Sequence, residues 1–214
     1  MTELIFVRHG QSIANLQQVF AGQTNPDLTE QGKQQAEVFA DWITKNYKID
    51  AIYSSDLIRA YNTARPVAEK LKLEIIKTDK LREIYSGLWQ GVEYSKIKAE
   101  YPKEYDVWLN DIGNAVCPGG ESLRELSERV DSQVKSIGKE HSGQTVLIAT
   151  HATPIRALQA IYEKGSITFA KDIPWTSNTS VTVAEYKNGR LFFKIVDYND
   201  YLLDLKSKFP SGIV

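Results

Sequence analysis

Apolar residues along this chain follow two rhythms. Leu4-Ile5-Phe6-Val7 and Thr145-Val146-Leu147-Ile148-Ala149-Thr150 are short unbroken runs. Their length suits strands buried on both faces and falls well short of a membrane span. Spaced apolar residues mark helices. Ala36, Ala40, Ile43 and Tyr47 recur on one helical face, behind a Thr29 cap with Glu30 in the first turn. Leu123, Leu126, Val130, Val134 and Ile137 repeat the pattern behind a Ser122/Glu125 capping box, ending near Gly138. Asp50-Ala51-Ile52-Tyr53 predicts a second short strand, with Ser54-Ser55-Asp56 as a turn and helix cap. Residues 57–71 read as a helix that Pro66 should kink or restart, and residues 73–77 as a third strand. Residues 153–162 predict a helix, with Pro154 tolerated in its first turn. Residues 180–186 and 191–198 alternate as strands around the hairpin signal Lys187-Asn188-Gly189-Arg190. Residues 201–214 read as a peripheral tail.

Strands alternating with helices predict an α/β fold, a three-layer sandwich. Its central sheet is mostly parallel, with an antiparallel edge strand and helices on both faces. The chain has 214 residues, the size of one domain with a sizeable core. Residues 85–120 differ in texture, with glycines alternating with aromatics such as Tyr85, Trp89, Tyr94 and Trp108. They are too few for a core of their own, and read as a cap over one sheet edge. The aromatics, with Trp175, suit plain packing, a pocket wall or the contact of a homodimer equally well. Formal net charge is −1, so no overall field draws the chain to nucleic acid or an anionic membrane. The single cysteine, Cys117, excludes an internal disulfide. Together with an N-terminus that lacks a basic, long-apolar leader pattern, it points to a cytoplasmic protein.

The candidate chemistry sits where strands end. Of three histidines, His9 and His151 directly follow the two clearest buried runs, while His141 lies in a helix-end context expected to be exposed. Ligands of open α/β sheets bind beyond the carboxyl ends of the strands. In a parallel sheet His9 and His151 emerge on one edge with Arg8 and Arg59, and Glu83 follows the third strand. A strand-terminal histidine is more often an ordinary surface residue, so the set carries weight only as a whole. His9, His151 and Glu83 have the makings of a zinc site. Against that, Arg8 and Arg59 are permanent positive charges that would repel a cation. A phosphate monoester fits better: two guanidinium forks and His151 satisfy its oxygens, and His9, neutral beside those cations, attacks phosphorus. Glu83 must then hold a proton for the departing alkoxide, which an apolar wall or the substrate's negative charge favours. No metal or cofactor is called for.

Six motifs carry a resemblance: Arg8-His9-Gly10-Gln11-Ser12 with Asn15; Leu28-Thr29-Glu30-Gln31-Gly32; Ser54-Ser55-Asp56-Leu57 through Arg59-Ala60 to Thr63-Ala64; Leu81-Arg82-Glu83-Ile84 with Gly87; Pro118-Gly119-Gly120-Glu121-Ser122; and Thr150-His151. In this order, across nearly the whole chain, they resemble the histidine phosphatase (phosphoglycerate mutase-like) superfamily, and the fifth resembles its phosphatase branch. The resemblance implies a phosphohistidine on His9. Arg8, Arg59 and His151 would hold the transferring group, with Glu83 as acid and then base. Asn15, Gly22 and Gln23 would contact substrate. Ala152 departs from the glycine common after the second histidine in this family. Between Ile84 and Gly120 there is no arginine, and three lysines face five carboxylates. A mutase binding phosphoglycerate would want cations there, so a metal-independent phosphatase for small organic monoesters is the expectation. A phosphoglycerate mutase, or a relative that only binds phosphoesters, is the alternative.

Overall fold

The computed structural model describes residues 1–207. Its first strand, β1 (Thr2–Arg8), contains the first apolar run and is buried almost throughout. A five-residue helix α1 (Ile13–Gln17), opened by a Ser12/Asn15 capping box, and a two-residue strand β2 (Val19–Phe20) follow. Helix α2 (Glu30–Asn46) starts at Thr29, whose Oγ1 accepts the Gly32 N–H at 3.0 Å. Strand β3 (Ala51–Ser55), helix α3 (Ile58–Leu71) and strand β4 (Ile75–Thr78) come next. Strand β5 (Val92–Glu93), helix α4 (Tyr94–Glu100) and helix α5 (Pro102–Asn110) occupy much of residues 85–120. Helix α6 (Leu123–Glu140), strand β6 (Thr145–Thr150) and helix α7 (Ala152–Glu163) precede the hairpin of β7 (Val181–Lys187) and β8 (Arg190–Tyr198).

Six strands form one sheet in the order β4-β3-β6-β1-β7-β8. The β1–β6, β3–β6 and β3–β4 pairs are parallel, and β7 runs antiparallel to β1 and β8. The hairpin turns at Asn188 and Gly189, both with positive φ, as a two-residue primed turn requires. Successive side chains of a strand face opposite sides, so β1 and β6 feed two cores. Leu4, Phe6, Val146 and Ile148 pack with Leu126 and Val130 of α6 and Leu158 of α7. Ile5, Val7, Leu147 and Ala149 pack with Phe39 and Ile43 of α2 and Val67 of α3. The three layers expected from the sequence follow. Parallel pairing of β1 with β6 sets Arg8 beside Thr150. His9 and His151 therefore leave the same sheet edge at the same level.

Four local expectations change. Ser54 and Ser55 lie within β3, and α3 is capped by Leu57 without a side-chain bond. Helix α3 runs unbroken through Pro66, since its apolar face on the core outweighs one missing hydrogen bond. His141 is half-buried, its Nε2 3.0 Å from the Tyr53 hydroxyl. Residues 201–207 are not peripheral. Tyr201 stacks on Trp42 with ring centres 4.7 Å apart, Leu202 is buried, and the Leu205 carbonyl accepts from Gln31 and Gln35. The remainder of the expected tail, 208–214, lies outside the described residues.

Candidate active site

His9 follows β1 directly, and its backbone N–H donates to the Thr150 carbonyl at 3.0 Å. Its Nδ1 lies 2.7 Å from the Gly10 carbonyl. A carbonyl only accepts, so Nδ1 carries the proton and Nε2 keeps its lone pair. Gly10 is needed less for turning than for contact: a Cβ there would sit 2.7 Å from the Gly32 carbonyl oxygen at the start of α2. The His151 ring, N-terminal to α7, has its centre 5.1 Å from that of His9 at 61°. Its Nε2 is 2.9 Å from Ser55 Oγ, at the end of β3. His151 Nδ1 is buried and has no hydrogen-bond partner among the described residues.

Both arginines are buried, Arg8 at 7 % and Arg59 at 1 % exposure. Backbone carbonyls orient them. Arg8 Nη1 donates to the Thr176 carbonyl, and Arg59 donates from Nη1 to Thr24 and from Nη2 to Gly22, both at 2.8 Å. Burial dominates the electrostatics. It lowers Arg8 and brings Arg59 down to about 10, with Glu83 opposing the shift and Arg8 adding to it. His9 lies well below the usual imidazole range through burial first, then Arg59 and Arg8. His151 shifts the same way, from burial, Arg59 and His9 in that order. Both shifts favour the neutral imidazole.

Glu83, half-buried, reaches the same cavity from the segment after β4. Its Oε1 accepts the Ile84 N–H at 2.8 Å and its Oε2 the Thr153 N–H at 3.4 Å. Asn15 and Gly22 line the cavity as well. Asn15 Oδ1 is occupied by the Ser12 N–H at 3.1 Å and Asn178 Nδ2 at 3.3 Å, so its own amide N–H groups are the ones left to donate. Gln23 is not among the residues that line the cavity, and its Nε2 donates to the Glu83 carbonyl at 3.1 Å. Ala152 lines the cavity as the first residue of α7. Among the described residues no group of three or more His, Cys, Asp or Glu side chains is arranged to hold a metal ion.

The cavity measures about 110 Å³. Phe20, Tyr94, Trp108 and Trp175 form its apolar wall, and Arg8 and Arg59 are its only cations among the described residues. Trp89 is instead fully buried in the core, and Tyr85 is exposed. The Arg156 guanidinium lies 4.2 Å from the centre of the Trp175 ring and fixes it. Sequence reasoning missed Asn178, whose Nδ2 donates to the His9 carbonyl at 3.0 Å. A polar residue in a polar run before β7 gives no periodic signal.

Two buried arginine forks, the His9 imidazole and a carboxylate line one small cavity, with the fully buried His151 ring packed against His9, and the set defines a protein that handles a phosphoryl group. The chain belongs to the histidine phosphatase superfamily (branch 1), whose model matches residues 4–201. It is 37% identical over 158 residues to phosphoserine phosphatase 1 of Hydrogenobacter thermophilus, covering 74% of each chain. It is 34% identical to phosphoglycerate mutase-like protein 4 of Arabidopsis thaliana, over 87% of this chain and 80% of that one. Among solved structures it is similar to Bacillus stearothermophilus YhfR, with TM-score 0.89, 28% identity, and coverage of 94% of this chain and 100% of that one. No helix among the described residues is long and apolar enough to cross a membrane.

Proposed function

We propose that the protein hydrolyses small organic phosphate monoesters through a phosphohistidine on His9, without metal or cofactor. The observation that carries this reading is the His9 tautomer. Nδ1 is tied to the Gly10 carbonyl, which leaves Nε2 as the free lone pair, and burial with Arg59 and Arg8 favours the neutral ring. Nε2 attacks phosphorus as the ester P–O bond breaks, and protonated Glu83 gives its proton to the leaving oxygen. Arg8, Arg59, His151 Nδ1 and the Asn15 amide bind the non-bridging oxygens, and the Gly22 carbonyl holds Arg59 in place. Water then attacks phosphorus, Glu83 takes its proton, the P–N bond breaks, and phosphate leaves.

In this reading residues 85–120 cap the single domain and wall the site. The aromatic wall and the lack of a further cation among the described residues that line the cavity favour an ester whose alcohol is apolar rather than anionic, and water rather than a second phosphate-bearing acceptor. The protein's partner is then the substrate alone, with neither nucleic acid nor membrane. A cytoplasmic enzyme and a homodimer are compatible with the same reading.

The test is p-nitrophenyl phosphate hydrolysis with and without chelator, beside a panel holding benzyl phosphate, phosphoserine and 3-phosphoglycerate. Turnover is expected to survive chelation. His9→Ala should abolish it, and brief mixing with labelled substrate should trap an acid-labile, base-stable phosphoenzyme. Chelator-sensitive activity, or an active His9→Ala protein, would overturn the proposal. Exchange of phosphate between phosphoglycerate isomers at a rate above hydrolysis would favour the mutase instead.

A further inference from the structure

The Pro118-Gly119-Gly120-Glu121-Ser122 motif lies outside the cavity, yet its residues are built into the segment that carries Glu83. Arg129, one turn and a half along α6, is half-buried, with 17% of its side chain exposed against 13% for Glu121. Its guanidinium has five N–H donors, and all five are used. Nε donates to Glu121 Oε1 at 2.7 Å and Nη2 to Glu121 Oε2 at 2.9 Å. Nη1 donates to the carbonyls of Lys80 at 3.0 Å and Arg82 at 2.8 Å. The second Nη2 hydrogen goes to the Glu83 carbonyl at 2.9 Å. Glu121 completes the grip. Its Oε2 accepts the Tyr85 N–H at 3.1 Å, and its own N–H donates to the Tyr85 carbonyl at 2.7 Å.

The glycines of the motif make this approach possible. A Cβ on Gly120 would sit 2.3 Å from the Tyr85 carbonyl oxygen, against backbone that cannot swing aside. Leu88 N–H donates to the Pro118 carbonyl at 2.9 Å, closing the far side of the same contact. On the opposite flank Gln23 Nε2 reaches the same Glu83 carbonyl. The backbone from Lys80 to Tyr85 is therefore held at four residues by one ion pair, while the Glu83 carboxyl group points to the cavity.

We infer that Arg129 and Glu121 are positioning residues that fix Glu83 at the distance its proton transfer requires. The inference rests on Glu83 being the acid of the proposed reaction. Neither residue lines the cavity, so neither acts on the phosphoryl group directly. A planar fork is necessary here. Lysine has three donors radiating from a point and cannot span three carbonyls and a carboxylate together. Misplacing a catalytic group by about 1 Å costs on the order of 10²-fold.

The experiment compares Arg129→Lys, Glu121→Gln and Glu83→Gln in the full chain. The readout is kcat/KM, which ends at phosphoryl transfer to the enzyme, on benzyl phosphate and on p-nitrophenyl phosphate. Benzyl alkoxide needs a proton to leave and p-nitrophenolate needs little. The two positioning variants should lose about 10- to 100-fold in kcat/KM on benzyl phosphate and less than about threefold on p-nitrophenyl phosphate. Equal losses on both substrates, or none, overturn the inference. If Glu83→Gln shows the leaving-group dependence and the other two do not, the clamp alone is wrong. If Glu83→Gln lacks it, the acid assignment falls and the clamp's role falls with it. Glu121→Gln keeps the three carbonyl bonds of Arg129, so it carries the comparison should Arg129→Lys fail to fold.

Discussion

Burial and the neighbouring cations favour the neutral form of both imidazoles at the site in the folded chain, and this has a consequence for stability. Unfolded, each takes a proton below about pH 6.5. His9 and His151 are held lower by burial and then by Arg59, so in that range the unfolded chain binds more protons. Stability is then full above about pH 6.5 and falls as pH drops, by up to about 1.4 kcal/mol per pH unit for each ring. Urea unfolding between pH 7.5 and 5.5 should show this fall. His151→Gln should flatten the slope by about one proton, whatever it does to stability at pH 7.5. An unchanged slope would mean that His151 is protonated when folded. His9 and His151 were legible in the sequence because each ends an apolar run that reads as a strand. Arg129 and Asn178 were not. Their importance lies in the carbonyls they reach, and a carbonyl leaves no mark on the residue code.

At the scale of elements, the loop after β1 is pressed onto the start of α2. Thr29 N–H donates to the Gln11 carbonyl at 2.9 Å, and Thr29 Oγ1 donates to Gln11 Oε1 at 2.8 Å while capping Gly32. Gly32 has no room, since a Cβ would lie 2.1 Å from the Gln11 carbonyl oxygen. Two substitutions separate propensity from contact. Thr29→Ala removes a cap and should cost about 1 kcal/mol. Gly32→Ala should gain up to about 1 kcal/mol if helix propensity decided. The clash is with backbone, so it should instead destabilise by more than Thr29→Ala and lower kcat by displacing His9. Urea midpoints and p-nitrophenyl phosphate turnover check both, and a stabilised Gly32→Ala protein would refute the contact argument. The Thr29 cap, the Ser122 capping box and the Asn-Gly hairpin were all readable, because capping and turning are local chemistry. The end of β3 was misread. Ser54-Ser55 looks like a turn in isolation, but there β3 still pairs with β4 and β6, and Ser55 faces His151.

Across the whole molecule, the sheet order places the two histidines together, and alternation with helices was enough to foresee it. The last described turn was not foreseeable in that way. Tyr201, Leu202 and Leu205 carry no strand or helix periodicity, and their partners Trp42, Phe39 and Gln35 lie on α2, far away in sequence. This segment also bears on the site. The Tyr201 hydroxyl donates to the carbonyl of Thr179, whose φ of 55° is uncommon for a β-branched residue. The Thr179 N–H in turn donates to the carbonyls of Arg8 at 3.0 Å and His9 at 3.3 Å. Two roles can be told apart here. Tyr201→Phe keeps the stack on Trp42 and removes one partly buried hydrogen bond, for about 1 kcal/mol. Tyr201→Ala removes the ring as well and should cost about 3 kcal/mol in all. If Tyr201 only packs, kcat should be unchanged in both folded variants. If it holds Thr179 in its strained turn behind the nucleophile, Tyr201→Phe should already lower kcat severalfold and Tyr201→Ala should lower it little further. The hydrogen-bond chain from Tyr201 through Thr179 to His9 favours the second outcome, and matched urea unfolding and steady-state rates on the same preparations decide it.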